Sequence, residues 1–128
     1  MPRLNWIVPT LLFAASPSLG ADWPMFRGNP LQNGVAEAKL PDQLEVAWSF
    51  KAKDSVEGAP CISEGVVYVG SYDKHLYALD LSTGAIKWKQ KLEPIKASPA
   101  VKDGRVYVGD VDGKFYCLSC KAGKEIWS

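Results

Sequence analysis

The chain is poor in the residues on which most protein chemistry relies. It has one histidine, His75, and three cysteines, Cys61, Cys117 and Cys120, no two of them adjacent. No Ser-His-Asp set, phosphate-cradling glycine loop or metal cluster can be assembled from it. The "CLSC" stretch (Cys117 to Cys120) has no second pair to complete a zinc site, and Lys121 follows where covalent haem attachment needs His. An excess of charge is missing too. Fifteen Lys and Arg stand against 14 Asp and Glu, a net charge of +1, which offers no argument for nucleic acid or anionic membrane surfaces. The apolar run "WIVPTLLFAA" (Trp6 to Ala15) is too short to cross a bilayer comfortably. No segment shows a helical period.

What remains is a 47% hydrophobic chain, ordinary for a globular protein, with five Trp and five Tyr in 128 residues. The first 21 residues are set apart. Arg3 supplies a positive start, the apolar run follows, and "SPSLGA" places small residues where a signal peptidase cleaves, after Gly20 or Ala21. A retained membrane anchor is the alternative reading of the same stretch. No Cys follows the run, so a lipid-modified N-terminus is not expected. The mature protein is expected to be exported, periplasmic or secreted. Export permits disulfides, but an odd cysteine count leaves at least one unpaired or awaiting a partner.

The chain then repeats itself. "YVGSYDKHLYALDLSTGAIKW" (Tyr68 to Trp88) returns as "YVGDVDGKFYCLSCKAGKEIW" (Tyr107 to Trp127), offset by 39 without a gap. Pro60 pairs with Pro99, Gly65 with Gly104, Asp73 with Asp112, Gly84 with Gly123, and Trp88 with Trp127. Cys117 falls opposite Ala78 and Cys120 opposite Leu81, which reads both as small apolar fillers at strand positions. Trp48, in "LEVAWSF", precedes Trp88 by 40. A period near forty with internal strands is the signature of a propeller blade.

Each unit divides into four short strands. In "HLYALDL", Leu76 and Ala78 lie on one face and Tyr77, Leu79 and Leu81 on the other, so the strand must be covered on both sides. In "AIKWKQKL", strict alternation puts Ile86, Trp88 and Leu92 on one face and Lys87, Lys89 and Lys91 on the other, as suits a solvated outer strand. The expected fold is all-β: a propeller fragment with an N-terminal strand and about two four-stranded antiparallel blades. Its expected segments are a signal peptide (1–21), an N-terminal segment with the first strand (22–55), one blade (56–94) and a second, truncated blade (95–128). Its terminal blade should leave one apolar face uncovered, either Val106, Val108 and Phe115 or Tyr107, Tyr116 and Leu118. The gene is therefore expected to continue into further blades.

The stretch "ALDLSTGAIKW" (Ala78 to Trp88) resembles the tryptophan-docking motif of the PQQ-like (pyrroloquinoline-quinone-like) β-propeller repeats, with Ala78, Asp80, Thr83, Gly84 and Trp88 fitting the pattern. The second copy keeps Gly123 and Trp127 but has Cys117, Ser119 and Ala122 at the other positions, so less turn support is expected there. "DWPMFRGNPLQNG" ahead of "LEVAWSF" resembles the opening of exported members of that family.

The resemblance implies two kinds of function. One is a non-catalytic, BamB-like scaffold that meets other proteins through its loops, with no nucleic acid, no cofactor, and room for peripheral membrane association. The other is a quinoprotein dehydrogenase holding PQQ and Ca²⁺, which would need a catalytic Asp, carboxylate and amide ligands, a Trp under the quinone and, in many alcohol oxidisers, adjacent cysteines. The scaffold is the better match. No catalytic or metal-binding residue is assigned. His75 reads as a solvated turn residue, Asp73 and Asp112 as turn formers, and Arg27 as an ion-pair pin for the N-terminal segment.

Overall fold

The computed structural model describes residues 22–36 and 40–128, so the expected signal peptide lies outside the described residues. Among these there is no helix, and none long and apolar enough to cross a membrane. The chain forms two antiparallel sheets, each of four strands hydrogen-bonded in chain order. The first contains β1 (Cys61–Ser63), β2 (Val66–Ser71), β3 (His75–Asp80) and β4 (Ile86–Lys91). The second contains β5 (Ala100–Lys102), β6 (Arg105–Gly109), β7 (Phe115–Ser119) and β8 (Glu125–Trp127). Hairpin turns join neighbours, so each sheet is a meander built from local contacts. Between sheets the closest approach is β1 to β5, where the Ala59 N–H donates to Ser98 Oγ at 2.9 Å. The sheets therefore fan out from their first strands, with lysine-rich β4 on the solvated rim.

Strand faces dictate the layering. Tyr68, Leu76 and Ala78 of the first sheet face Val106, Val108, Tyr116 and Leu118 of the second, and all seven are buried in one cluster with Cys61, Leu92 and Ile95. The opposite face of the first sheet (Val67, Val69, Tyr77 and Leu79) is covered by Trp48, Phe50 and Ala52 of the N-terminal segment. Apolar residues on both faces of β2 and β3 thus meet an apolar layer on both sides.

Three expectations are corrected. "LEVAWSF" forms no strand: residues 44–52 run over the first sheet without a ladder, because a strand exists only through hydrogen bonds shared with a neighbour and none lies alongside among the described residues. Among the described residues the N-terminal segment contributes one β-bridge, from Trp23 to Ile62 of β1. Second, strict alternation fails in β4. Ala78 pairs with Trp88 but Leu79 pairs with Ile86, a bulge at Lys87 that puts Ile86 and Trp88 on opposite faces. The same bulge recurs in β8, where Cys117 pairs with Trp127 and Leu118 with Glu125. Third, the outward face of the second sheet mixes the two expected sets. Val106 pairs with Leu118 and Val108 with Tyr116, so those four point inward together, leaving Tyr107, Phe115 and Trp127 outward.

Candidate functional site: tryptophans docked between blades

The motif residues meet across the sheet boundary. Ala78 is fully buried opposite Trp88, where a larger side chain would push the indole off the sheet. The Trp88 Nε1–H donates to the Cys120 carbonyl of the second sheet at 2.8 Å. Its ring lies on Gly123 so closely that a Cβ there would come within 2.6 Å of it. Trp48 repeats the arrangement one step earlier, with Nε1–H to the Leu81 carbonyl at 2.8 Å and its ring against Gly84, where a Cβ would again be 2.6 Å away. Both glycines have positive φ, +72° and +68°, so each position is closed to side chains twice over, by conformation and by space. The indole contributes apolar area and satisfies its one donor in the same contact.

Each turn therefore serves the tryptophan of the preceding element, not that of its own copy. Around Gly84, Asp80 Oδ1 accepts from the N–H groups of Ser82 and Thr83 at 3.0 and 3.1 Å and from Thr83 Oγ1 at 3.1 Å. The Ser82 and Thr83 hydrogen bonds hold its carboxyl down at about 2. Around Gly123, Ser119 and Ala122 offer no such acceptor, and the turn rests on backbone bonds, Gly123 N–H to Ser119 O at 2.8 Å and Ser119 N–H to Lys124 O at 2.8 Å. The weaker turn support falls on Trp88, not on Trp127. Trp127 docks on nothing among the described residues and is 47% exposed, beside Tyr107 at 6.2 Å and Phe115 at 6.1 Å between ring centroids. Tyr68 and Trp88 make the same tilted pair at 5.8 Å, but covered.

The titratable groups are spent on structure. Asp73, its side chain only 5% exposed, accepts from Tyr77 Oη at 2.6 Å and from the Lys53 N–H at 2.9 Å, and its Oδ1 faces His75 Nδ1 at 3.3 Å. Burial pushes the Asp73 carboxyl up, and those hydrogen bonds with His75 nearby outweigh it, so it sits below the usual range. His75 packs on Tyr77, with ring centroids 5.7 Å apart, and is partly buried. The counterpart of Asp73 in the second sheet is Asp110, not Asp112: Tyr116 Oη donates to Asp110 Oδ2 at 2.7 Å. Asp110 stands where the first sheet has Ser71, and Ser71 is occupied by the N-terminal segment, donating at 3.1 Å to the Ser55 carbonyl.

All three cysteines are free thiols. Cys61 and Cys117 are buried, and burial pushes the Cys61 thiol up to about 12, away from nucleophilic use. Cys120 is a turn residue rather than a strand filler, and it borders a cleft of about 270 Å³ with Tyr68, Val101 and Glu64. Arg27 makes no ion pair among the described residues. Its Nη1 reaches only the Gln32 carbonyl at 3.4 Å. Among the described residues no three His, Cys, Asp or Glu side chains converge as a metal site. Both docked indoles have one face against a glycine turn and their N–H committed, so neither lies free to carry a quinone.

Four-stranded antiparallel blades fanned about their first strands and joined by docked tryptophans define the tryptophan-docked, PQQ-like class of β-propeller. Within that class, the chain belongs to the family described as outer membrane protein assembly factor BamB, whose model matches residues 41–128, more than two thirds of the chain. Among curated proteins, the outer membrane protein assembly factor BamB of Salmonella typhimurium is 32% identical over 71 residues, covering 47% of this chain and 18% of its own length. Among solved structures, BamB from Moraxella catarrhalis is similar with 28% identity and a TM-score of 0.59, over 63% of this chain and 26% of that one. The quinohemoprotein alcohol dehydrogenase from Comamonas testosteroni is similar with 25% identity and a TM-score of 0.70, over 83% of this chain and 19% of that one. The chain thus spans between about a sixth and a quarter of the length of these relatives.

Proposed function

We propose that this chain belongs to an exported propeller that acts as a non-catalytic scaffold for other proteins, in outer-membrane protein assembly of the kind its relatives' name states. One observation carries the reading. Several described residues of the types a quinone site draws on are committed elsewhere: the indoles of Trp48 and Trp88 to blade docking, the carboxylates of Asp73 and Asp80 to turns and tyrosine hydroxyls, the thiols of Cys61 and Cys117 to the core. The family match supports the same reading. On this reading the partners are proteins met through loops, with peripheral membrane association compatible, and a further blade covers the Tyr107–Phe115–Trp127 face. Residues 1–21 direct export, and N-terminal sequencing of the extracytoplasmic protein is expected to start at Ala21 or Asp22.

The likeness to the quinohemoprotein alcohol dehydrogenase keeps a second reading in play, a PQQ- and Ca²⁺-dependent dehydrogenase. Reconstitution with PQQ and Ca²⁺, followed by dye-linked oxidation of alcohols and sugars, separates the two. The scaffold reading expects no turnover and no change in melting temperature on chelation, and robust turnover overturns it.

A further inference from the structure

Residues 22–34 form a short loop that both sheets hold in place. Trp23 exchanges two backbone hydrogen bonds with Ile62 of β1, each 2.8 Å, and the Pro24 carbonyl accepts from the Val101 N–H of β5 at 2.7 Å. Asp22 Oδ1 accepts from the Glu64 N–H at 3.0 Å. The loop's interior is set by Trp23 lying on Gly28, which is buried with φ +85° and where a Cβ would come within 2.7 Å of the ring. Backbone bonds from Gly28 to Met25 at 2.9 Å and from Gln32 to Asn29 at 2.8 Å close the remaining turns. This platform is tied by hydrogen bonds to the first strands of two blades.

On it stand two side chains that the fold does not use. Phe26 is 50% exposed, and Arg27 is exposed with its guanidinium 6.0 Å from the Phe26 ring. Arg27 has a left-handed backbone, φ +60°, a conformation that costs a non-glycine residue free energy. Its single internal bond is long, 3.4 Å to Gln32 O, and no carboxylate pairs with it among the described residues. An aromatic ring and a guanidinium with no carboxylate partner among the described residues, adjacent on a loop held by backbone hydrogen bonds, are the residue types that dominate protein interfaces, and a preformed backbone lowers the entropic cost of using them.

We propose that the Phe26–Arg27 pair is a docking point for a partner protein's segment that carries a carboxylate next to an apolar side chain. The carboxylate meets the guanidinium fork in a bidentate pair, for which lysine is a poor substitute, and the apolar side chain lies on the Phe26 ring. The proposal rests on the scaffold reading and gives it a specific surface.

Photo-crosslinking of the full chain in its native cell tests it, with p-benzoylphenylalanine at position 26 and, as comparison sites, at positions 89 and 111. The expected result is an adduct at position 26 whose crosslinked peptide carries Asp or Glu within three residues of the attachment point. Arg27→Glu is expected to cut its yield at least tenfold and Arg27→Lys several-fold, at unchanged melting temperature. No adduct at position 26, an adduct indifferent to Arg27→Glu, or a crosslinked peptide without a carboxylate overturns the proposal. Adducts at 89 or 111 in those cases leave the scaffold reading standing, whereas PQQ-dependent turnover overturns the scaffold reading itself.

Discussion

The indole of Trp88 donates its N–H to the Cys120 carbonyl at 2.8 Å, thirty-two residues further along the chain and in the other sheet. Trp48 does the same to Leu81, thirty-three residues ahead. Docking in this protein is a relation between a tryptophan of one element and the turn of the blade that follows, which ties the stability of each blade to its neighbour.

Removing the indole is therefore expected to loosen both sheets. Trp88 is half-buried, so Trp88→Ala should cost about 2–4 kcal/mol, somewhat under a fully packed site. Trp88→Phe keeps most of the apolar contact, orphans the Cys120 carbonyl and should cost about 1 kcal/mol. Lys89→Ala, on the same strand but exposed, should stay within about 0.5 kcal/mol. Urea unfolding midpoints give the ranking, and equal shifts for Trp88→Ala and Lys89→Ala would refute the docking role.

The glycine under each ring supplies a sharper comparison. Gly123 and Gly104 have nearly the same backbone, φ +68° and +70°, but a Cβ meets the Trp88 ring at the first and nothing within 4 Å at the second. Gly104→Ala should cost about 1 kcal/mol for the left-handed backbone alone. Gly123→Ala adds displacement of the indole and should cost roughly 2–4 kcal/mol. Trp88 fluorescence should change only in Gly123→Ala.

Asp80 sets the acid limit of the first docking turn. Hydrogen bonds from Ser82 and Thr83 depress its carboxyl from the ordinary 3.8 to about 2. A depressed folded value contributes stability above the unfolded value and loses it as pH falls through the folded one, so the loss runs between about pH 4 and pH 2. Asp80→Asn should flatten melting temperature against pH in that window. An unchanged slope would show that the turn does not depend on the ionised carboxylate.

The two tyrosine–aspartate pairs set the alkaline limit. Burial, followed by the hydrogen bonds to Asp73 and Asp110, pushes Tyr77 and Tyr116 up to about 12. A raised folded value contributes stability that is complete below pH 10 and fades as pH rises toward 12. Tyrosinate absorbance should show three late-titrating groups, since burial raises Tyr68 as well, and Tyr77→Phe and Tyr116→Phe should each remove one. Tyr77→Phe also deprives a buried carboxylate of a donor and should cost about 1.5–3 kcal/mol at neutral pH.

Much of the architecture could be read from the residues. The 39-residue offset and the apolar character of both faces of "HLYALDL" required stacked four-stranded units, since burial demand belongs to each side chain wherever it sits. The family pattern in Ala78, Asp80, Thr83, Gly84 and Trp88 was legible as well. Their partners were not. Within one copy Gly84 and Trp88 look like a pair, but the ring over Gly84 is Trp48 and the glycine under Trp88 is Gly123.

The sequence by itself determined which residues must leave water and at what period, because hydrophobicity and turn preference are local properties of the chain. Only the tertiary structure decided who meets whom. The bulge at Lys87 turns Ile86 and Trp88 to opposite faces, although both fit one alternating stripe. Asp110 rather than Asp112 takes the Tyr116 hydroxyl, because the ladder of β6 ends at Gly109 and frees Asp110 to reach it. Arg27, which reads as an ion-pair pin, reaches only a carbonyl among the described residues, and the loop beneath it is held instead by backbone hydrogen bonds and by Trp23 packed on Gly28. Each of these turns on one added residue or a few ångströms of reach, and such distances exist only once the blades are packed against each other.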